Sequence, residues 1–143
     1  MIENKRILLT GGAGFIGTQL ASRLVERNEI VVFDTLHRNS LKDSPARNHP
    51  NLRLIQGDVM DAAAVREAMT GCHFVVHLAA IAGVDTVISI PVTCMKVALI
   101  GTYNVLESAV ATGITERFID FSTSEVFGTY AYNVREGDVT TLG

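Results

Sequence analysis

Five short apolar runs punctuate the chain: RILLT at residues 6–10, IVVFD at 30–34, LRLIQ at 52–56, FVVHL at 74–78 and FIDFS at 118–122. They are mostly β-branched or leucine-rich and bounded by Gly, Asp or Asn, which predicts five strands, several buried on both faces. Helical patterns fill most of the intervals. Phe15, Ile16, Leu20, Leu24 and Val25 form one apolar stripe, and Asp61 and Gly71 bracket AAAVREAMT as N-cap and stop signal. The longest predicted helix begins near Pro91 and stops at Gly113. Its residues Val92, Met95, Leu99, Tyr103, Leu106 and Val110 are spaced 3, 4, 4, 3 and 4 apart and share one face. Val97, Ile100 and Val105 lie off that stripe, so the helix is either wedged between the core and neighbouring loops or also builds a subunit interface. The strand-helix alternation predicts a parallel sheet with helices on both faces.

Composition narrows the class. At 143 residues the chain suffices for one domain, which we expect to span residues 1–143. With 48% apolar residues, 19% charged residues and a net charge of -3, it has no basic footprint for nucleic acid or an anionic membrane. No apolar run approaches the roughly 18 residues of a membrane helix, and MIENKRILLTGG reaches its glycines too early for a signal peptide. Cys72 and Cys94 lack CxxC or Cys/His spacing, which favours packed, reduced thiols and a cytoplasmic protein without a metal site.

The chemistry concentrates where the first strand ends. TGGAGFIG, residues 10–17, reads as GxxGxxG through Gly11, Gly14 and Gly17, or as GxGxxG through Gly12, Gly14 and Gly17. In both readings an early glycine permits a tight turn, Gly14 lets the backbone approach a pyrophosphate, and Gly17 allows close helix packing. The N–H groups near Phe15 and Ile16 then face phosphate with the helix dipole behind them. Asp34 ends the second strand 20 residues after Gly14, where a carboxylate can accept from both hydroxyls of a ribose. The context favours dinucleotide binding over a structural turn, and a Rossmann-type doubly wound α/β fold. Asp34 repels a 2′-phosphate, so NAD is expected in preference to NADP, although Arg38 can soften that repulsion.

Other strand ends add candidates. Asp58 is placed to accept from an adenine amino group while the Val59 N–H donates to the ring; an ordinary turn or cap is the local alternative for Asp58. Leu78-Ala79-Ala80 follows the fourth strand, and the small Ala79 and Ala80 would let the backbone run along a cofactor, or simply pack. The polar stretch at residues 35–51 is expected to be solvated, with a few residues near enough to close over a ligand. His73 and His77 fall roughly 13 Å apart at strand rise, too far to share a metal, and are expected in packing or surface roles. No Ser-His-Asp order or nucleophile elbow supports hydrolysis.

Taken together, TGGAGFIG, IVVFD, GDVMD, VVHLAA, IGTYNVLESA and RFIDFSTSEVFG resemble the extended short-chain dehydrogenase/reductase family, the NAD-dependent epimerases and dehydratases of nucleotide sugars. The resemblance covers nearly the whole chain. It implies that Asp34 binds the adenosine ribose, that Asp58 and Val59 hold adenine, and that Leu78, Ala79 and Ala80 pass beside the ribose and nicotinamide. It also implies that the long helix pairs across a homodimer. Thr123 then occupies the position of a catalytic Ser or Thr, whose hydroxyl bonds the sugar hydroxyl being oxidised beside a proton-accepting tyrosine and its lysine. Ser124 and Glu125 complete a TSE triplet resembling those of nucleotide-sugar decarboxylases and some 4,6-dehydratases, in which the glutamate acts as acid or base; capping of local N–H groups is the alternative for Glu125.

Two departures stand out. Ala98 replaces the Asn usual three residues before the glycine of the GT pair. The YxxxK motif is absent: of three lysines, Lys5, Lys42 and Lys96, none lies four residues after Tyr103, Tyr130 or Tyr132, where Glu107, Val134 and Glu136 stand. The expectation is therefore the cofactor-binding half of a nucleotide-sugar epimerase/dehydratase, inactive alone and lacking the substrate-binding part. A non-catalytic NAD-binding sensor or assembly module is the alternative.

Overall fold

The computed structural model describes residues 2–114, 116–128 and 132–140, and of Ser124 the backbone only. Five parallel strands, β1 (Arg6–Thr10), β2 (Glu29–Asp34), β3 (Leu52–Gln56), β4 (Phe74–His77) and β5 (Arg117–Asp120), form one sheet ordered β3-β2-β1-β4-β5. From β1 the chain winds outward through β2 to β3, then returns to lay β4 and β5 on the other side of β1. The crevice between β1 and β4 is the point where the winding reverses, and ligands of open α/β sheets bind there.

Alternation along the strands divides the core in two. Leu8, Val31, Phe33 and Val75 pack on one face with Val65, Ala68, Met69, Val105 and Ala109. Ile7, Leu9, Ile30, Val32 and Val76 pack on the other with Ala21, Val25, Leu41 and Ala46. Each large side chain removed from water this way contributes about 1.5–3 kcal/mol, so the double-sided burial of β1 and β2 anchors the sheet. The helices α1 (Phe15–Leu24), α2 (Ala62–Met69) and α5 (Thr102–Thr112) supply the covering layers. Asp61 caps α2 by accepting from the Ala63 and Ala64 N–H groups, at 3.0 and 3.1 Å, and Gly71 follows its end with a φ of 73°.

The helices depart in part from their predicted faces. Of the predicted α1 stripe, Leu20, Leu24 and Val25 do pack on the core, but Phe15 and Ile16 are 76% and 50% exposed, and at the start of α1 Gly17, Thr18 and Ala21 are buried, because close contact with the glycine turn requires small residues. The long helix does run from Pro91 to Thr112, but as α4 (Pro91–Lys96), a π turn (Val97–Gly101) and α5, with a short unpredicted helix α3 (Val84–Ser89) ahead of it. Its regular apolar stripe points to solvent. Cys94, Gly101, Asn104, Val105, Ser108 and Ala109 face inward, where small side chains let the helix approach α2 and the turn after β3. Strand β5 ends at Asp120 rather than Ser122; the Phe121 N–H makes a last bond to the His77 carbonyl (3.1 Å), and Thr123 then caps a 3-10 turn (Ser124–Phe127).

Candidate dinucleotide site

The turn after β1 is held by backbone bonds and by the absence of side chains. Gly11 has a φ of 68°, and a Cβ there would sit 2.7 Å from the Ala79 Cα, so glycine alone lets the loop lie on the Leu78–Ala79 backbone. Its N–H donates to the Phe33 carbonyl (2.8 Å), while the Leu78 N–H donates to the Thr10 carbonyl (2.9 Å). At Gly17 a Cβ would fall 2.5 Å from the Gly12 Cα, which fixes how closely α1 seats on the turn. The first bond into α1 runs from the Thr18 N–H to the Gly14 carbonyl (2.9 Å). The N–H groups of Phe15, Ile16 and Gly17 precede it, and so remain available to an anion at the positive end of the helix.

Asp34 closes the adjacent side. Its two carboxylate oxygens accept from the Ala13 N–H (3.0 Å) and the Leu36 N–H (2.7 Å), and Leu36 takes a left-handed backbone, φ 66°, in delivering that bond. A carboxylate offers about four acceptor sites. Two remain after these bonds, the number a ribose diol needs. The polar stretch that follows is more than solvated: it forms two 3-10 turns, Leu41–Asp43 and Pro45–Asn48, buries Leu41 and Ala46, and donates from the Ser40 N–H to the Ala13 carbonyl (2.8 Å). Arg38 reaches from this stretch across to Gly83, beyond β4.

The remaining candidates lie on the same carboxyl edge. Asp58 is exposed, and one oxygen accepts from the Met60 N–H (2.9 Å), the local turn role; its other oxygen carries no bond among the described residues. Val59 is buried, and its carbonyl is fixed by Asn104 of α5, which donates to it (2.9 Å) and to the Met60 carbonyl (3.3 Å). Beyond β5, the Thr123 hydroxyl accepts from the Glu125 N–H (3.3 Å) and keeps its own proton to donate. The Glu125 carboxylate is exposed and bonds no N–H among the described residues, so the capping alternative finds no support there. The Ser124 side chain and Tyr130 lie outside the described residues.

Sequence reasoning expected His73 and His77 in packing or surface roles and the cysteines as packed thiols, but it missed the partners of the two histidines. His77 is 3% exposed; its Nδ1 lies 2.6 Å from the Thr10 hydroxyl and its Nε2 3.0 Å from the Thr102 hydroxyl. Burial pushes its pKa down, partly countered by the Asp120 carboxylate. His73 accepts from the Arg6 N–H through Nδ1 (3.0 Å). Both cysteines are free and buried, and burial pushes the Cys72 thiol up to about 11, leaving it unreactive at neutral pH.

A doubly wound parallel sheet with a glycine turn at its switch point and an acidic residue ending β2 defines a Rossmann-type dinucleotide-binding fold. The chain belongs to the NAD dependent epimerase/dehydratase family, which residues 7–142 match. It is 37% identical over 126 residues to the dTDP-glucose 4,6-dehydratase of Mycolicibacterium smegmatis, an alignment covering 86% of this chain and 38% of that enzyme. Among solved structures it resembles the UDP-N-acetylglucosamine 4-epimerase of Methanobrevibacter ruminantium M1, solved with UDP-N-acetylmuramic acid. The TM-score is 0.88 at 26% identity, over 98% of this chain and 45% of that one. It also resembles the UDP-glucose 4-epimerase of Brucella ovis in complex with NAD, with a TM-score of 0.82 at 27% identity, over 96% of this chain and 42% of that one. The chain thus spans less than half the length of these relatives. NAD is the cofactor of the family, and the donors and acceptors at the crevice suit it.

Proposed function

We propose that this chain is the NAD-binding part of a nucleotide-sugar epimerase/dehydratase, spanning residues 1–143. The observation that carries this is the pairing of three N–H groups at the start of α1, unbonded among the described residues, with an Asp34 carboxylate that keeps two acceptor sites. Gly11, Gly14, Phe15, Ile16 and Gly17 receive the pyrophosphate, Asp34 the adenosine ribose, and Asp58 and Val59 the adenine. Leu78, Ala79 and Ala80 line the path toward the nicotinamide. Bound NAD supplies the hydride acceptor for oxidation of a sugar hydroxyl. Thr123 donates to that hydroxyl or accepts from it, and the exposed Glu125 carboxylate, which makes no bond among the described residues, serves a later acid or base step of dehydration or decarboxylation; Ser124 completes that edge.

Proton removal in this chemistry needs a tyrosine beside a lysine, and the sequence holds no YxxxK. The chain alone is accordingly inactive. Incubated with NAD and dTDP-glucose or UDP-glucose, the purified chain should bind NAD and yield neither 4-keto sugar nor epimer; turnover would contradict the assignment. Reading the gene past the Gly143 codon separates the two readings that share this site. An in-frame YxxxK within a few tens of residues supports the enzyme, whereas an immediate stop supports the NAD-binding sensor or assembly module.

The outward stripe of the long helix supports a homodimer. Val92, Met95, Leu99, Tyr103, Leu106 and Val110 are between 45% (Leu106) and 84% (Val110) exposed, and an apolar surface that continuous is covered by a partner in a soluble protein. A second copy presenting the same stripe satisfies it symmetrically. Among the described residues no helix is long and apolar enough to cross a membrane, and the free thiols suit a reducing cytoplasm.

A further inference from the structure

We propose that His77 is a positioning residue for the dinucleotide crevice, tying the carboxyl ends of β1 and β4 to the first turn of α5 through the Thr10 and Thr102 hydroxyls. The inference rests on the NAD-binding reading and concerns a group which that reading leaves without a role. Thr10 and His77 face each other in the register of β1 and β4, the two strands that flank the switch point. The Thr10 hydroxyl stands 2.6 Å from Nδ1, and the Thr102 hydroxyl, at the start of α5, stands 3.0 Å from Nε2.

Thr10 and His77 immediately precede Gly11 and Leu78, the residues that form the floor of the site. Gly11 and Leu78–Ala79 lie so close that a single Cβ does not fit between them. A small relative shift of the two strand ends therefore alters the shape of that floor. Val75 packs against Val105 lower on α5, and among the described residues the His77–Thr102 bond is the side-chain hydrogen bond that joins β4 to α5, just after the π turn (Val97–Gly101). A neutral imidazole has one donor and one acceptor, and the two hydroxyls reorient to match whichever nitrogen carries the proton. Burial keeps the ring neutral. The chain of three side chains is thus satisfied in either tautomer, and its length sets the spacing of β1, β4 and α5.

Hydrogen exchange of the full chain, without ligand, tests this locally. Thr102→Val keeps the side-chain shape and removes only the hydroxyl. Exchange of the Gly11 and Leu78 amides, which donate to the Phe33 and Thr10 carbonyls, should rise about tenfold, while amides in the middle of β1 and β4 are unchanged. Thr102→Ser, which restores a hydroxyl, should restore protection, and His77→Gln gives the same comparison should Thr102→Val not fold. An equal rise at every amide would reduce His77 to a general stabiliser, and no change at Gly11 and Leu78 would overturn the proposal outright. Titrated with NAD, Thr102→Val should bind about fivefold more weakly than the unaltered chain or Thr102→Ser. If the unaltered chain takes up no NAD, the dinucleotide reading fails, while the exchange result still decides whether His77 positions the strand ends.

Discussion

At single residues, burial sets the chemistry of His77, and hydrogen bonding sets what Asp34 can offer. With its pKa held below the ordinary imidazole value of 6.5, His77 is neutral in the folded chain, and on acidification the unfolded chain binds a proton first. Stability from this residue is therefore complete above the ordinary value and is lost as pH falls through it toward the lowered native value. Urea unfolding between about pH 7.5 and 5 should show that slope, and His77→Gln should flatten it. Glu116 is exposed and its pKa is lowered by its bond to Lys5 and by that lysine's charge, so its contribution fades only below the ordinary carboxylate value of 4.5. The histidine window opens at 6.5 and the glutamate window only at 4.5, so a slope just below neutrality reports the histidine. Asp34 holds the Ala13 and Leu36 N–H groups in addition to any ribose, which makes Asp34→Asn the informative change. One acceptor oxygen persists while the charge proposed to exclude a 2′-phosphate is gone, so the preference for NAD over NADP should fall about tenfold or more in paired titrations.

Among the elements, α1 and its glycine turn behave as one unit. Adding a methyl group in Gly17→Ala places it against the Gly12 backbone, which cannot rotate away as a side chain can. The variant should lose about 1–3 kcal/mol in urea unfolding, with NAD affinity falling as the helix start withdraws from the phosphates. Asp61→Ala removes a cap far from the crevice and should cost about 1 kcal/mol without affecting NAD. The strands, the glycine turn, the Asp61 cap and Asp34 were legible in the sequence because each is a local pattern, a run of apolar residues or a residue type that a turn or cap requires. The inward face of the long helix was not. Hydrophobic periodicity assigned Val92, Met95, Leu99, Tyr103, Leu106 and Val110 to a common face correctly, but periodicity cannot say whether that face meets the core or a partner. Gly101, with a Cβ position 2.6 Å from Val59, and Asn104, bonded to the turn after β3, mark the inward side, and neither carries a hydrophobic signal. The bridge from Thr10 through His77 to Thr102 joins three separate elements, and no local pattern announces such a contact.

For the whole molecule, the exposed stripe and the crevice make separable demands. Leu99→Asp places a charge in the centre of the stripe, 62% exposed in the single chain, so the monomer should fold normally while self-association at micromolar concentration weakens at least tenfold in sedimentation equilibrium. A chain that is monomeric at all accessible concentrations would leave the stripe to another partner. NAD binding does not depend on that outcome, since the glycine turn, Asp34 and the Leu78–Ala80 backbone all belong to one chain. Calorimetric titration of NAD into the unaltered chain and into Asp34→Ala tests the central assignment most directly. Saturable binding to the first, weakened at least tenfold in the second, is the result the structure predicts; equal affinity in the two, or no binding by the unaltered chain, would contradict it.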